Sequence, residues 1–226
     1  MNVLLVSATY LEIDPLLTQF KFIKQSNQKL RHYEFKNHHI DVLIPGVGMT
    51  FTAYWLGKTL TSKMYDVAIN VGLAGAFDDS IKTGEVVNVI VDRISELGAE
   101  DGEKFLSLID MDLLEDEDFT LQNGEMINTI PIENTVSDSL KKVKGITVNT
   151  THGDDDSIEK VKRLFHPQIE TMEGAAFLYA CLLEGIPCLQ LRAISNKVER
   201  RNKDNWNIKL AVKNLTEKSI EILRTL

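Results

Sequence analysis

No apolar run in this chain is long enough to cross a bilayer as a helix. A basic excess is also missing. The formal net charge is -8, the reverse of a nucleic-acid-binding footprint, and it gives no support for docking on an anionic membrane. Cysteine is scarce: only Cys181 and Cys188 occur, both in apolar surroundings. They are expected as buried free thiols in a reducing compartment, not as a disulfide or a metal pair. The opening Met1-Asn2-Val3-Leu4-Leu5-Val6 lacks the basic region and small-residue cleavage site of a signal peptide and reads as a first strand. A cytoplasmic protein is therefore expected.

Several site signatures are absent too. No His/Cys/Asp/Glu spacing resembles a metal centre, and Asp154-Asp155-Asp156 reads as a helix cap, from Asp155 or Asp156 before Ser157-Ile158. Gly46-Val47-Gly48 lacks the third glycine and the later acidic residue of a dinucleotide fingerprint. There is no Gly-x-x-x-x-Gly-Lys-Ser/Thr and no Gly-x-Ser-x-Gly. Neither a metal nor a cofactor is expected.

What is present fits a single domain spanning residues 1–226, with 43% hydrophobic and 26% charged residues. Strands are expected at residues 3–8, 33–35, 40–44, 67–71, 84–91, 146–150 and 187–194, and helices at 10–20, 49–60, 156–165, 173–183 and 204–226. Residues 36–39, including His38 and His39, read as a solvated hairpin tip. Residues 96–137 are acidic and weakly periodic and read as a long excursion. His166 before Pro167 reads as structural. Strands alternating with helices, several of them apolar throughout, predict an α/β fold: a mixed, largely parallel central sheet with helices on both faces. Sites in such sheets lie beyond the carboxyl ends of the strands.

The polar residues fall at those ends. Glu170-Thr171-Met172-Glu173-Gly174-Ala175-Ala176 puts a carboxylate, Glu173, where an apolar helix begins. Leu191-Arg192-Ala193-Ile194-Ser195-Asn196 puts a polar pair at the exit of an apolar strand. A buried carboxylate is costly unless it binds something such as paired hydroxyls, and an amide offers a donor and an acceptor to one edge of a base. Together they describe a nucleoside pocket. Glu12, shortly after the first strand, is a candidate general base. Gly46 to Gly48 and Gly72 to Gly75 are read as turns whose amides approach a ligand. His152-Gly153, at another strand end, are candidates for holding the base.

In combination these pieces resemble the nucleoside phosphorylase and nucleosidase family over nearly the whole chain. The resemblance implies that Met172 and Glu173 cradle the ribose, that Asn196 contacts the purine N7, that Glu12 activates water and that Arg192 helps hold the nucleophile. It also implies a purine nucleoside substrate and a homo-oligomer, dimer or tetramer. Two departures matter. Phosphorylases of the family carry Gly-Asp-Pro-x-Arg at the first turn, whereas here it reads Ser7-Ala8-Thr9-Tyr10-Leu11-Glu12, which favours water over phosphate. The methylthioadenosine and adenosylhomocysteine nucleosidases place Asp after Ser, and this chain has Asn196, which suits a 6-oxopurine such as hypoxanthine. Residues 197–208 are similar to the futalosine-cleaving hydrolases of that family, which serve menaquinone biosynthesis. A 5′ carboxylate would then need Arg200 or Arg201, and Tyr10, Phe77 or Trp206 would stack on aromatic parts of the ligand. A methylthioadenosine-type nucleosidase and a purine nucleoside phosphorylase are the alternatives.

Overall fold

The computed structural model describes residues 1–102, 104–114 and 121–226. In chain order the elements are β1 (Asn2–Val6), α1 (Tyr10–Leu17), β2 (Lys21–Gln25), β3 (Leu30–Phe35), β4 (His38–Leu43), α2 (Met49–Leu60), β5 (Val67–Ala76) and β6 (Val86–Asp92). There follow β7 (Gly98–Asp101), β8 (Lys104–Ser107), β9 (Met126–Ile127), α3 (Thr135–Asp138), β10 (Lys141–Thr147) and α4 (Asp155–Phe165). The chain closes with β11 (Ile169–Thr171), α5 (Gly174–Leu183), β12 (Cys188–Lys197) and α6 (Ile208–Thr225).

β1 shows why the layers form. Its side chains alternate across the strand, and both faces are apolar. Val3 and Leu5 pack with Ile13 and Leu16 of α1 and Ala211 and Leu215 of α6. Leu4 and Val6 pack with Leu56 of α2 and Phe177 and Cys181 of α5. The sheet is thus covered on both sides, and helix α5, apolar almost all round, lies against one face. The two cysteines are buried and free, as expected.

The main sheet runs β11-β10-β6-β12-β5-β1-β4-β3-β2, with β9 beside β6. It is mixed. Parallel pairing joins β4, β1, β5 and β12, and also β6, β10 and β11. Antiparallel pairing joins β12 to β6 and builds the β2-β3-β4 margin. β11 also pairs with β5, through Ile169–Ala76 and Glu170–Gly75. That second pairing closes β5, β12, β6, β10 and β11 into a five-stranded ring at one end of the sheet.

Four expectations need correction. Gly72 to Gly75 are not a turn but the second half of β5, since β12 pairs with the strand as far as Ala76. His38 is buried as the first residue of β4, because the hairpin tip is only Lys36-Asn37, with Lys36 at φ 51°; His39 is exposed. The cap of α4 is Asp154, whose side chain accepts from the Ser157 N–H, and not Asp155 or Asp156. α6 begins at Ile208, after a 3-10 turn at Lys203–Asn205, with Asn207 accepting from the Leu210 N–H. His166 is structural as read: it ends α4 in the left-handed region at φ 47°, before Pro167. The excursion at 96–137 contains the β7–β8 hairpin, β9 and α3, and its residues 103 and 115–120 lie outside the described residues.

Candidate active site

A cavity of about 200 Å³ opens where β1, β5, β10, β11 and β12 end or bend. Of the residues singled out above, Glu12, Gly75, His152, Met172, Glu173, Ser195 and Asn196 line it, as do Arg201 and Trp206. Arg192, Gly153 and Phe77 do not. Arg192 lies behind the wall, 1% exposed. The Gly153 carbonyl accepts from the Arg201 N–H at 3.1 Å, so it anchors the 199–206 loop. Phe77 meets His152 edge-on with ring centroids 6.0 Å apart, backing that histidine. Tyr10 packs on the core under the Arg31 guanidinium, and Arg200 is exposed outside the cavity.

Glu12 sits in the first turn of α1, where an acidic side chain suits the helix N-terminus. Its Oε2 accepts from the Thr9 N–H and Thr9 hydroxyl, both at 3.0 Å, and from the Ser7 hydroxyl at 3.4 Å. Its Oε1 accepts from the Leu73 N–H of β5 at 3.0 Å. Four donors from two segments fix the carboxylate, and Oε1 keeps lone-pair capacity toward the cavity.

Glu173 stands at the start of α5, 6% exposed, and accepts from the Gly48 N–H at 3.0 Å. Gly48 has φ 104°, a conformation open to glycine, and this is how the Pro45-Gly46-Val47-Gly48 break reaches the site. Burial raises the Glu173 pKa, opposed by the nearby Arg192 charge and reinforced by Glu12. Arg192 is the buried cation between these carboxylates. Its Nη2 donates to Asn70 Oδ1, while Asn70 Nδ2 donates to the Val6 carbonyl at 3.0 Å. β1, β5 and β12 are therefore stitched together directly behind the site. Burial lowers the Arg192 pKa against the pull of Glu173, Glu12 and Asp92, and a guanidinium stays charged at any working pH.

At the other end β12 bulges between Ile194 and Asn196. The bulge re-aims the polar pair. The Ser195 hydroxyl donates to Asn196 Oδ1 at 2.7 Å, and Asn196 Nδ2 donates to the Lys197 carbonyl at 2.7 Å, leaving one amide N–H for a ligand.

Sequence reasoning missed four buried polar residues here. Asn70 and Gln190 interrupt otherwise apolar strands, which was the available signal. Asp92, fully buried, accepts from Thr147 Oγ1 and Gln190 Nε2, both at 2.9 Å, beneath the start of α5. Burial pushes its pKa up to about 6, against those hydrogen bonds and the Arg192 charge. Glu170 lines the cavity and is bound to His152. No group of three or more potential metal ligands occurs among the described residues.

Residues 2–226 match the family model described as the phosphorylase superfamily. The futalosine hydrolase of Thermus thermophilus is 28% identical over 173 residues, covering 74% of this chain and 73% of that one. A futalosine hydrolase structure from Helicobacter pylori gives a TM-score of 0.80 at 15% identity, over 100% of this chain and 98% of the other. A 5′-methylthioadenosine/S-adenosylhomocysteine nucleosidase from Colwellia psychrerythraea, in complex with adenine, gives 0.80 at 18% identity, over 100% and 96%. At such identities the structural likeness is one of fold.

Proposed function

We propose that this chain, which belongs to the phosphorylase superfamily and has relatives named futalosine hydrolase, hydrolyses futalosine, releasing hypoxanthine and dehypoxanthine futalosine. The observation that carries water over phosphate is Glu12. The donors of the first turn, Ser7 and Thr9, are used to hold a carboxylate, and an incoming phosphate would meet like charge there.

In this reading Met172 and Glu173 cradle the ribose, and Asn196 donates its remaining amide N–H to the purine N7. As the glycosidic bond lengthens, the sugar gains oxocarbenium character, which the Glu173 carboxylate favours electrostatically. Glu12 accepts a proton from the attacking water, help typically worth about 10²–10⁴-fold. Arg192 sets the spacing of the two carboxylates from behind. Arg201, which lines the cavity and stands 5.2 Å above the Trp206 ring, is the candidate partner for the 5′ carboxylate.

The same reading includes a homo-oligomer. Phe51 and Tyr54 of α2 and Tyr179 and Leu183 of α5 are exposed apolar side chains, and Val47, also exposed, lies at the cavity wall. Light scattering should give a multiple of 25.5 kDa, and Phe51→Glu with Tyr179→Glu should return the monomer. A monomeric parent chain would refute this part.

The deciding experiment is chromatography of the bases released from futalosine, inosine and methylthioadenosine, each with and without phosphate. Hypoxanthine from futalosine, indifferent to phosphate, is the expected result. Adenine from methylthioadenosine, or a strict need for phosphate, would overturn the reading.

A further inference from the structure

We propose that Glu170 determines base specificity: its carboxylate accepts the ring N1–H of a 6-oxopurine, and His152 holds it in position to do so. The inference rests on the nucleosidase reading and gives that reading a residue it does not otherwise use.

Gly75 of β5 has Glu170 of β11 opposite it on one side and Asn196 of β12 on the other. A side-chain carbon built at Gly75 would lie 3.4 Å from Asn196 Nδ2 and 3.6 Å from Glu170 Cγ. The base-reading amide and the carboxylate thus close over one glycine, and both line the cavity. The ribose-side groups lie elsewhere on the same strand. Gly72 faces Arg192 and Glu12, three residues back along β5 and so roughly 10 Å away. Glu170 therefore belongs to the base end of the cleft.

Glu170 is 5% exposed, and its recorded partners among the described residues all belong to His152. The His152 N–H donates to Oε1 at 3.1 Å, and Nδ1 lies 2.7 Å from Oε2. That bond places the imidazole proton on Nδ1, and the Phe77 ring backs the imidazole. A carboxylate has about four lone-pair sites, and a buried one is costly to leave partly unfilled. With donors from a single residue, Glu170 keeps acceptor capacity for a ligand in the cavity.

Hypoxanthine presents a donor at N1 beside its carbonyl, whereas adenine presents a lone pair at N1. A fixed carboxylate attracts the first and repels the second. Asn196 alone does not make this distinction, because N7 is an acceptor in both bases.

The test is calorimetric binding of hypoxanthine, adenine and 1-methylhypoxanthine to the intact protein and to Glu170→Gln. The parent protein should bind hypoxanthine about ten- to a hundredfold more tightly than either of the others, the range expected for a hydrogen bond to a charged group. E170Q keeps the shape and can donate to N1 of adenine, so its hypoxanthine-to-adenine ratio should fall by at least about tenfold. A carboxylate that only props His152 would weaken both bases equally on substitution, and that result overturns the proposal. So does a parent protein that binds 1-methylhypoxanthine as well as hypoxanthine, a result that needs no variant to fold. Base release from futalosine is scored separately. Discrimination without release would sink the hydrolytic reading alone, and release without discrimination would sink the role of Glu170 alone.

Discussion

Replacing Gly72 by alanine tests whether the buried cation behind the cavity sets the catalytic geometry. The added carbon would lie 2.4 Å from Arg192 Nη1 and 3.1 Å from Glu12 Oε1. An ordinary non-bonded contact is about 3.5 Å, so the guanidinium must retreat by about 1 Å. An exposed arginine would swing aside at little cost. This one is 1% exposed and hydrogen-bonded to Asn70, so its movement breaks that bond or drags β5 with it. Overpacking of this kind costs about 1–3 kcal/mol. Because Arg192 lies between Glu12 and Glu173, a 1 Å displacement there should lower kcat/KM on the order of a hundredfold. Gly57→Ala is the control. Gly57 lies within α2, nothing stands within 4 Å of the added carbon, and the change should stabilise the helix by up to about 1 kcal/mol with turnover untouched. Base release and urea unfolding, run on both variants, separate the two effects. A Gly72→Ala protein with the parent's kcat/KM would refute the idea that Arg192 fixes the carboxylates.

Glu12→Gln should lower kcat by about 10²–10⁴-fold while base affinity, measured by calorimetry, stays within about threefold; full turnover would end its assignment as the base. Asn196→Asp should shift preference toward 6-aminopurine nucleosides, because a carboxylic acid can hand a full proton to N7; an unaltered ratio of adenine to hypoxanthine release would refute the N7 contact. Asp92 makes a pH prediction. Its folded pKa of about 6 lies above the ordinary 3.8, so its contribution to stability is fully present below about pH 4 and is lost as pH rises through about 6. Asp92→Asn should remove that loss, roughly 3 kcal/mol, and flatten the urea midpoint between pH 4 and 6. The new amide N–H has an acceptor waiting, since Gln190 Oε1 is buried without a recorded partner and the Gln190 amide can turn. An unchanged pH slope in Asp92→Asn would place the titration elsewhere.

Much of the scaffold was legible because the signals were local. Val3 to Val6 is apolar on both faces and is buried on both. The start of α5, where apolar sequence follows Glu173, falls where the pattern put it. Gly46 to Gly48 breaks the chain as read, and its amide reaches Glu173. The hairpin is legible from its flanking strands, but its polar run is longer than its tip, and His38 is buried at the start of β4. β2 is exposed along its whole length and has no buried face to announce it. β11 has three residues, too few for a period of two to show.

What stayed hidden depends on pairings between distant segments. Glu170 and Glu173 are three residues apart, yet one closes a strand ring against Gly75 and the other opens a helix beside Gly48. The apolar sequence after Glu173 announces the helix, but nothing in residues 168–174 announces that Glu170 pairs with β5. The antiparallel register of β11 on β5 sets Glu170 opposite Gly75, which pairs on its other side with Asn196, and that register exists only once the ring has closed. The same holds for Arg192. Its partners come from β5, α1, β6 and the start of α5, and no single segment shows that they meet. A buried polar residue that interrupts an apolar strand is therefore the feature to follow from sequence to site. Asn70, Gln190 and Arg192 all have that form, and they converge on the wall behind Glu12 and Glu173. Such residues are expensive to bury singly and become stable only by meeting one another. Their meeting point is fixed by the fold, and here it lies behind the cavity that Glu12 and Glu173 line.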